Sequence, residues 1–166
     1  MFKETSVFDL KQNVFEEIHK NWMLVSAAKP DGTVNTMTAS WGAMGELWNK
    51  ETVTVYIRES RYTKEFIDAQ EYFTVSLFDG HRKELTLLGR RSGRDGDKIA
   101  EAGFHTELVG GQPAFAESKC VLVCKKIYET PLDPKAIPEE YLAANYANGD
   151  YHTMYIGEVV ACYVNE

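Results

Sequence analysis

Residues 35–45 read NTMTASWGAMG, and residues 52–66 read TVTVYIRESRYTKEF. The first stretch is small and rich in hydroxyl groups, with one large aromatic residue among them. The second begins with alternating β-branched residues, which is the pattern of a half-buried β-strand. This strand leads directly into hydroxyl and guanidinium side chains at the expected start of a short helix. The two stretches therefore predict sheet structure that ends in a polar, cationic corner.

The cationic corner has the chemistry of a phosphate-binding site. Arg58 and Arg61 supply planar, fork-shaped positive charge, while Ser60 and Thr63 supply hydroxyls that could also cap the helix. The first helical turn adds unpaired N–H groups and the positive end of the helix dipole. The alternative is a capped helix with surface arginines. Capping accounts for one hydroxyl but does not require two arginines, so we favour the phosphate site.

The overall charge argues against one large class of partners. The chain has 166 residues and a net charge of −7, which disfavours a broad nucleic-acid footprint. Inside an acidic protein, the local basic cluster of Arg90, Arg91 and Arg94 suggests a small anionic ligand, although a solvated charged loop is an equal alternative. The length predicts a single domain over residues 1–166.

Cysteine number and hydropathy indicate the compartment. Three cysteines, Cys120, Cys124 and Cys162, are an odd count, and we expect buried, reduced thiols rather than a metal site. No segment approaches the roughly 18 apolar residues that a membrane span requires. Residues 1–12 lack the apolar core of an export signal. We therefore expect a cytoplasmic protein without membrane contact.

The hydrophobic pattern predicts a mainly β protein, with six or seven strands and a few short helices. The sequence KPDG at residues 29–32 is typical of a hairpin turn. We expect Gly42 and Gly45 to interrupt the sheet and Gly89 to end a helix. We expect strands over residues 22–28, 34–41, 52–58, 72–78, 120–129 and 154–164. We expect helices over residues 63–69, 81–88, 98–102 and 139–147. Residues 5–20 could form either a strand or an amphipathic segment. Without regular strand–helix alternation or a Gly-x-Gly-x-x-Gly turn, this pattern favours a small antiparallel β-barrel with helices at its rim.

Four segments together resemble a known family. They are residues 35–45, residues 52–66, SGRDGDK at 92–98 and HTMYIGEV at 152–159. In this order they are similar to the flavin reductase-like, FMN-binding split-barrel proteins, and most similar to the flavoredoxin-type branch. Each motif alone is weak, but the combination spans nearly the whole chain from about residue 20 to 164. The resemblance implies a split β-barrel with Greek-key connectivity, non-covalently bound FMN and a homodimer.

The resemblance also implies roles for individual residues. The FMN phosphate would be bound by residues that match the family's phosphate segment, namely Arg58, Ser60, Arg61, Tyr62 and Thr63. The isoalloxazine ring would face residues that match a strand end, namely Asn35, Thr38, Ala39, Ser40 and Trp41. Donors at such a strand end tune the potential of a flavin. For Trp41 alone, simple packing in the core is the favoured alternative.

Three further residues have less specific matches. Arg94 and Lys98 would place positive charge near the phosphate or the pyrimidine end of the flavin. The alternative is a loop with exposed ion pairs to Asp95 and Asp97, which contribute little to stability. His152 would lie at the barrel mouth as a catalytic residue that positions nicotinamide or donates a proton. A purely structural histidine is the favoured alternative there.

The implied function is that of a flavoprotein oxidoreductase. The flavin would accept a hydride from NADH or NADPH, or pass electrons to another acceptor. The alternative is a non-catalytic FMN-binding electron carrier that takes electrons from a protein partner, for which an acidic surface suits a basic docking partner. The sequence contains no convincing Ser-His-Asp arrangement, which is consistent with chemistry that the cofactor carries. The preferred nicotinamide, the final acceptor and the exchange of the flavin are left open.

Overall fold

The computed structural model describes all 166 residues of the chain. Ten β-strands dominate, and they are β1 (Phe2–Thr5), β2 (Met23–Ala28), β3 (Val34–Ala39), β4 (Gly42–Leu47), β5 (Lys50–Arg58), β6 (Tyr72–Leu77), β7 (Thr106–Val109), β8 (Gln112–Phe115), β9 (Cys120–Pro131) and β10 (His152–Asn165). The α-helices are α1 (Tyr62–Asp68), α2 (Arg82–Arg90), α3 (Lys98–Glu101) and α4 (Glu139–Asn145). Two 3₁₀ turns, Val7–Asp9 and Pro134–Ala136, and a π-helical turn, Glu16–Asn21, complete the chain. No helix is both long enough and apolar enough to cross a membrane.

Eight of the strands form one antiparallel sheet that closes on itself. Its order is β3-β2-β6-β9-β10-β5-β4, with β1 on the far part of β10. The two end strands, β3 and β4, are joined only by Ser40 and Trp41. Because such a link spans only about 10 Å, the sheet must curl until its ends meet. β3 and β4 share no hydrogen-bonded ladder, so the barrel is split between them.

The strand order also contains a Greek-key connection. After β5 the chain passes through α1 and returns in β6, which pairs with β2 rather than with β5. β9 and β10 then fill the space between β6 and β5. The structure therefore confirms the expected mainly β fold with split-barrel, Greek-key architecture.

The barrel interior is a continuous apolar core. Val53, Val55 and Ile57 alternate along β5 and are at most 1% exposed, as the period-2 pattern predicts. Phe66 and Ile67 of α1 are fully buried in the same cluster, so this helix covers one end of the barrel. Burying a side chain of this size stabilises the fold by about 1.5–3 kcal/mol. The position of α1 is thereby fixed relative to the end of β5.

A second apolar cluster attaches α2 to the outside of the sheet. Leu85 and Leu88 of α2 pack with Leu24 of β2 in this cluster. A close approach accompanies this packing, because a Cβ on Gly89 would lie 3.1 Å from Thr38 Cβ. The carboxyl end of α2 is therefore brought against the last residues of β3.

Two expectations about glycine are wrong. Gly42 and Gly45 lie within strand β4, and α2 continues through Gly89 to Arg90. A Cβ on Gly42 would lie 2.7 Å from Thr54 O and 2.8 Å from Met23 Cε. Glycine is therefore required at Gly42 by close packing at the barrel seam, not by a break in the strand.

The expected number of strands is also too low. β1, β4 and the β7–β8 hairpin were not anticipated, and residues 5–20 contain irregular turns instead of one strand or amphipathic element. β7 and β8 have four residues each, which is too short for a period-2 pattern to stand out. Their turn uses Gly110 and Gly111 at positive φ. The hairpin packs on the sheet, where Thr74 Oγ1 donates to Pro113 O at 2.6 Å.

The seam predicts a position-specific effect of adding one methyl group. Gly42→Ala should lower the free energy of unfolding by about 1–3 kcal/mol, because the new Cβ meets a main-chain oxygen. Gly45→Ala on the same strand is the matched control, since a Cβ there meets nothing within 4 Å. Urea unfolding of both variants measures the difference. Equal stability of the two variants would contradict the proposed packing at the seam.

Candidate functional site

A cationic cleft lies where β5, α1 and the segment after α2 meet. Its volume is about 240 Å³. It is lined by Asn35, Met37, Arg58, Ser60, Arg61, Tyr62, Thr63, Arg90, Arg91, Ser92, Gly93 and Lys98. Four arginines and one lysine are therefore gathered in one concave surface, and no acidic residue is among its lining. In a chain of net charge −7, this is a local concentration of positive charge, which attracts anions.

Two of these cations also stabilise the carboxyl end of α2. Arg61 Nη1 donates to Gly89 O at 2.6 Å. Lys98 Nζ donates to Leu88 O at 2.8 Å and to Arg91 O at 3.0 Å. Cations at a helix carboxyl end satisfy its free carbonyls and favour the helix dipole. Arg61 and Lys98 are thus positioned by backbone geometry rather than by carboxylate partners.

The charged Lys98 is buried in this position. The residue is only 4% exposed. Desolvation, and secondarily the positive charge of Arg61, lower the pKa of Lys98 to about 8. An anion bound in the cleft would favour the charged form and raise this pKa again.

A polar contact joins β3 to α1 at the wall of the cleft. Asn35 Nδ2 donates to Thr63 Oγ1 at 2.9 Å, and both residues are buried. The Thr63 hydroxyl accepts this bond, so its own hydrogen remains available for an acceptor. A Cβ on Gly93 would lie 2.2 Å from Asn35 Oδ1. A larger residue at position 93 would therefore require the Asn35 side chain to move.

Ser60 has partners that the sequence did not indicate. Its main-chain N–H donates to Asp150 Oδ1 at 3.1 Å, and its Oγ donates to Asp150 Oδ2 at 2.6 Å. Arg58 Nη1 donates to the main-chain oxygen of Asp150 at 2.7 Å. Neither Ser60 nor Thr63 caps α1, whose N-cap residue is Arg61 without a side-chain cap bond. The expected capping role is therefore wrong.

A second cleft continues from the first along the barrel seam. Its volume is about 200 Å³. It is lined by Met37, Thr38, Ala39, Ser40, Trp41, Tyr56, Arg58, Arg61 and His152. Met37, Arg58 and Arg61 line both clefts, so the two form one elongated depression. We call the first part the cationic cleft and the second part the seam cleft.

Trp41 lies at the rim of the seam cleft and not in the core. It is 45% exposed, and its ring centroid is 5.0 Å from that of His152. Core packing, the favoured alternative for Trp41 alone, is therefore wrong. The reason is that Trp41 belongs to the two-residue link between the end strands, which passes outside the closed barrel.

His152 is buried between Trp41 and the segment before β10. It is 7% exposed, and its Nδ1 lies 2.7 Å from the hydroxyl of Tyr146. Burial, and secondarily the positive charge of Arg58, lower the pKa of His152 to about 4. The imidazole is therefore neutral near pH 7, which suits hydrogen bonding more than charge stabilisation.

The structure brings all the predicted site residues to the two clefts except one. Arg94 lines neither cleft: its guanidinium pairs with Glu65, donates to Ser60 O at 3.4 Å and lies 4.5 Å from the centroid of the Tyr62 ring. The functional role of each residue stays a prediction.

Three lining or neighbouring residues were missed by the sequence. Tyr56 lines the seam cleft, and Tyr146 and Asp150 contact His152 and Ser60. Tyr56 lies within the motif at residues 52–66 but was not singled out, and no motif covers Tyr146 or Asp150. The antiparallel register of β5 and β10, which pairs His152 with Arg58, brings these residues together.

Comparison with known proteins places this geometry in a family. A family model described as flavin reductase like domain matches residues 15–166. The FMN-binding domain of a flavin reductases-like enzyme from Shewanella baltica OS155 is similar, with a TM-score of 0.68 and 20% identity over 99% of this chain and 77% of that chain. The flavoredoxin of Desulfovibrio vulgaris (Miyazaki F) gives a TM-score of 0.69 and 20% identity over 99% of this chain and 78% of that chain. The styrene monooxygenase flavin reductase from Pseudomonas putida S12 gives a TM-score of 0.66 and 20% identity over 88% of this chain and 80% of that chain. No curated protein matches the chain.

The solved structures define the fold as that of the FMN-binding split-barrel domains. The family model covers nearly the whole sequence, and the chain belongs to the flavin reductase like domain family.

The buried imidazole predicts a pH dependence of stability. Because the folded pKa of His152 is about 4 against an ordinary value of 6.5, the unfolded chain binds the extra proton first as the pH falls. The contribution of the neutral His152 imidazole to the free energy of unfolding is complete above about pH 6.5 and is lost toward pH 4. Between about pH 7 and pH 4.5, the wild type should lose about 2 kcal/mol more unfolding free energy than His152→Gln. Urea unfolding at both pH values measures this.

The control for this measurement is His19→Gln, since His19 is exposed in the π-helical turn. That variant should follow the wild type across the same pH range. If His152→Gln also follows the wild type, the assignment of a neutral buried imidazole is wrong.

Proposed function

We propose that the protein is an FMN-binding oxidoreductase that takes reducing equivalents from NADH or NADPH. The single observation that carries the proposal is the elongated depression, with positive charge at one end and an uncharged aromatic rim at the other. A mononucleotide of this kind has a doubly charged phosphate at one end and a flat ring at the other. Membership in the flavin reductase like domain family supports the choice of FMN.

The cationic cleft fits the phosphate. Arg58 and Arg61 present guanidinium groups with donors beyond those already used by Asp150 O and Gly89 O. Thr63 keeps a hydroxyl hydrogen for an acceptor, and the buried Lys98 lines the same cleft. Charge-assisted bonds of this type are about twice as strong as neutral ones. A phosphate would also relieve the cost of concentrating these cations.

The seam cleft fits the ring. Because β3 is an end strand, every second residue directs its main-chain N–H and C=O away from β2. The small residues Ala39 and Ser40 leave room for a flat group beside these donors, and Trp41 forms the rim. Main-chain donors can recognise the polar edge of an isoalloxazine ring and stabilise negative charge on it.

The chemistry would come from FMN, which when bound accepts a hydride from a reduced nicotinamide. The residues of this chain bind, orient and adjust the electrostatics. Arg58 and Arg61 line both clefts and so add positive charge near the ring as well as the phosphate. His152 adds no charge at the rim near pH 7, because its pKa is about 4. Its hydrogen bond to Tyr146 fixes the orientation of the imidazole ring.

Loss of one cleft arginine should weaken FMN binding selectively. Arg61→Gln should raise the Kd for FMN at least about tenfold, because one charge-assisted contact with phosphate is lost. The matched control is Arg82→Gln, whose side chain stacks on Trp22 away from both clefts. Quenching of flavin fluorescence during titration measures both. An unchanged Kd in Arg61→Gln, or an equal loss in Arg82→Gln, would count against the phosphate site.

A second candidate function is a non-catalytic electron carrier with permanently bound FMN. The observation that favours it is the 45% exposure of Trp41 at the ring end, which would let a protein partner approach. The net charge of −7 would favour a basic partner.

Anaerobic mixing of the FMN-loaded protein with NADH or NADPH separates the two functions. For the oxidoreductase we expect rapid bleaching of the oxidised flavin by one of the two nicotinamides, and slow or no bleaching after Arg61→Gln because little FMN is bound. A flavin that is bleached by dithionite but by neither nicotinamide would instead support the carrier.

We also propose a homodimer in the cytoplasm. Tyr128 and Trp48 are 44% and 63% exposed on the outer face of the sheet, with ring centroids 6.4 Å apart. Ile156 opposes Tyr128 on the same face. A second copy would bury this apolar face.

Sedimentation tests the dimer. The Ile156→Glu variant should sediment as a monomer, and the control Leu108→Glu, on the β7–β8 hairpin, should sediment as a dimer. A monomeric wild type would contradict the proposal.

The proposed cytoplasmic location has separate support. The three cysteines are buried free thiols, which favours a reducing compartment.

A further inference from the structure

The carboxylate of Asp150 is not part of the lining of the cationic cleft, but it contacts Ser60, which is. Both of its oxygens accept hydrogen bonds from Ser60, one from the main-chain N–H at 3.1 Å and one from Oγ at 2.6 Å. Ser60 lines the cleft together with four arginines and Lys98. A carboxylate and a phosphate are both oxyanions that accept from such donors. A phosphate that reached Ser60 would therefore need the same donors that Asp150 occupies.

The carboxylate is not needed to fix the segment that carries it. Arg58 Nη1 already donates to the main-chain oxygen of Asp150 at 2.7 Å. The next residue, Tyr151, accepts from Glu59 N at 3.1 Å. Tyr146 in the same segment contacts His152 at 2.7 Å. These three contacts attach the segment to β5 and β10 without using the Asp150 carboxylate, so its two hydrogen bonds to Ser60 are additional to them.

The negative charge acts on the cations that line the cleft. Desolvation, and secondarily the positive charge of Arg58, lower the pKa of Arg61, and the Asp150 carboxylate opposes this shift. The carboxylate thus offsets part of the repulsion between the two guanidinium groups. A phosphate that enters the cleft meets this same charge as a repulsive neighbour. A fixed like charge beside a ligand is a common means of lowering affinity for one ligand relative to another.

We propose that Asp150 is an internal competitor for the phosphate group and thereby sets the specificity of the site. Its carboxylate occupies the Ser60 donors when the cleft is free and gives them up when a phosphate binds. The affinity for phosphate-bearing flavin is lowered, whereas the affinity for a flavin without phosphate is not. This inference rests on the proposed FMN site, and it makes the flavin an exchanging ligand rather than a permanently bound group.

The step is a rearrangement of hydrogen bonds with no covalent change. Both hydrogen bonds between Ser60 and the Asp150 carboxylate lie in an exposed environment. The carboxylate can therefore turn toward solvent while the main-chain contact with Arg58 remains. After this turn, the Ser60 N–H and hydroxyl face the phosphate.

The test removes the charge and keeps the shape. Asp150→Asn retains an oxygen that can accept from Ser60, but it is neutral. The matched control is Asp133→Asn, which removes the same charge from the same β9–β10 connection, where Asp133 Oδ1 accepts only from Lys135 N at 2.9 Å. The Kd values for FMN, riboflavin and inorganic phosphate are measured for the wild type and both variants at one fixed ionic strength.

The expected result is a split between ligands. Asp150→Asn should bind FMN and inorganic phosphate about tenfold more tightly, while riboflavin changes by less than about twofold. Asp133→Asn should match the wild type for all three ligands. If FMN binding is unchanged or weaker in Asp150→Asn, or if riboflavin improves as much as FMN, the inference is wrong even though the FMN site stands.

Inorganic phosphate separates this inference from the proposed function. Tighter phosphate binding in Asp150→Asn, with no flavin bound by any variant, would support the competition by Asp150 and overturn the FMN proposal. Phosphate binding that does not respond to Asp150→Asn would overturn the competition itself.

Discussion

Closure of the sheet through a two-residue link is the constraint on which the rest of the structure depends. Ser40 and Trp41 connect the two end strands β3 and β4, so the sheet cannot remain open. Closure brings Gly42 close to Thr54 and Met23, and it leaves a seam without a ladder. The same seam leaves main-chain groups of β3 unpaired at its outer edge. The seam cleft is therefore a direct consequence of how the barrel closes.

The cationic cleft follows from the helices that cover the barrel. α1 is anchored by Phe66 and Ile67 in the core, and α2 is brought against β3 through Gly89 and Thr38. Arg61 and Lys98 then donate hydrogen bonds to free main-chain carbonyl groups at the carboxyl end of α2. These cations stabilise the helix end, and they also create the positive surface. The same side chains thus stabilise a helix end and form the positive surface, which explains how an acidic protein can present concentrated positive charge.

The sequence predicted those parts of the fold and the site whose signals are local. The strand that ends at Arg58, the turn at residues 29–32 and the helix after Arg61 were visible in their periodicity and turn chemistry, and the structure confirms all three. The resemblance to a family supplied the residues around the clefts, including Lys98, whose carbonyl partners no pattern could indicate. Strand β4 was missed because Gly42 reads as a break, although close packing is what demands it. The β7–β8 hairpin was missed because its strands are only four residues long.

Residue chemistry by itself determined that this chain forms a mainly β fold with two arginines and two hydroxyls beside a strand end, because alternation and side-chain type are properties of neighbouring residues. Only the tertiary structure decided which groups those side chains meet. Ser60 and Asp150 are 90 residues apart, and they touch because β5 and β10 pair in one register that sets His152 opposite Arg58. Trp41 lies at a rim instead of in the core for a similar reason, since barrel closure turns the link outward. Long-range register and closure arise from the packing of the whole core, and no short stretch of sequence contains them.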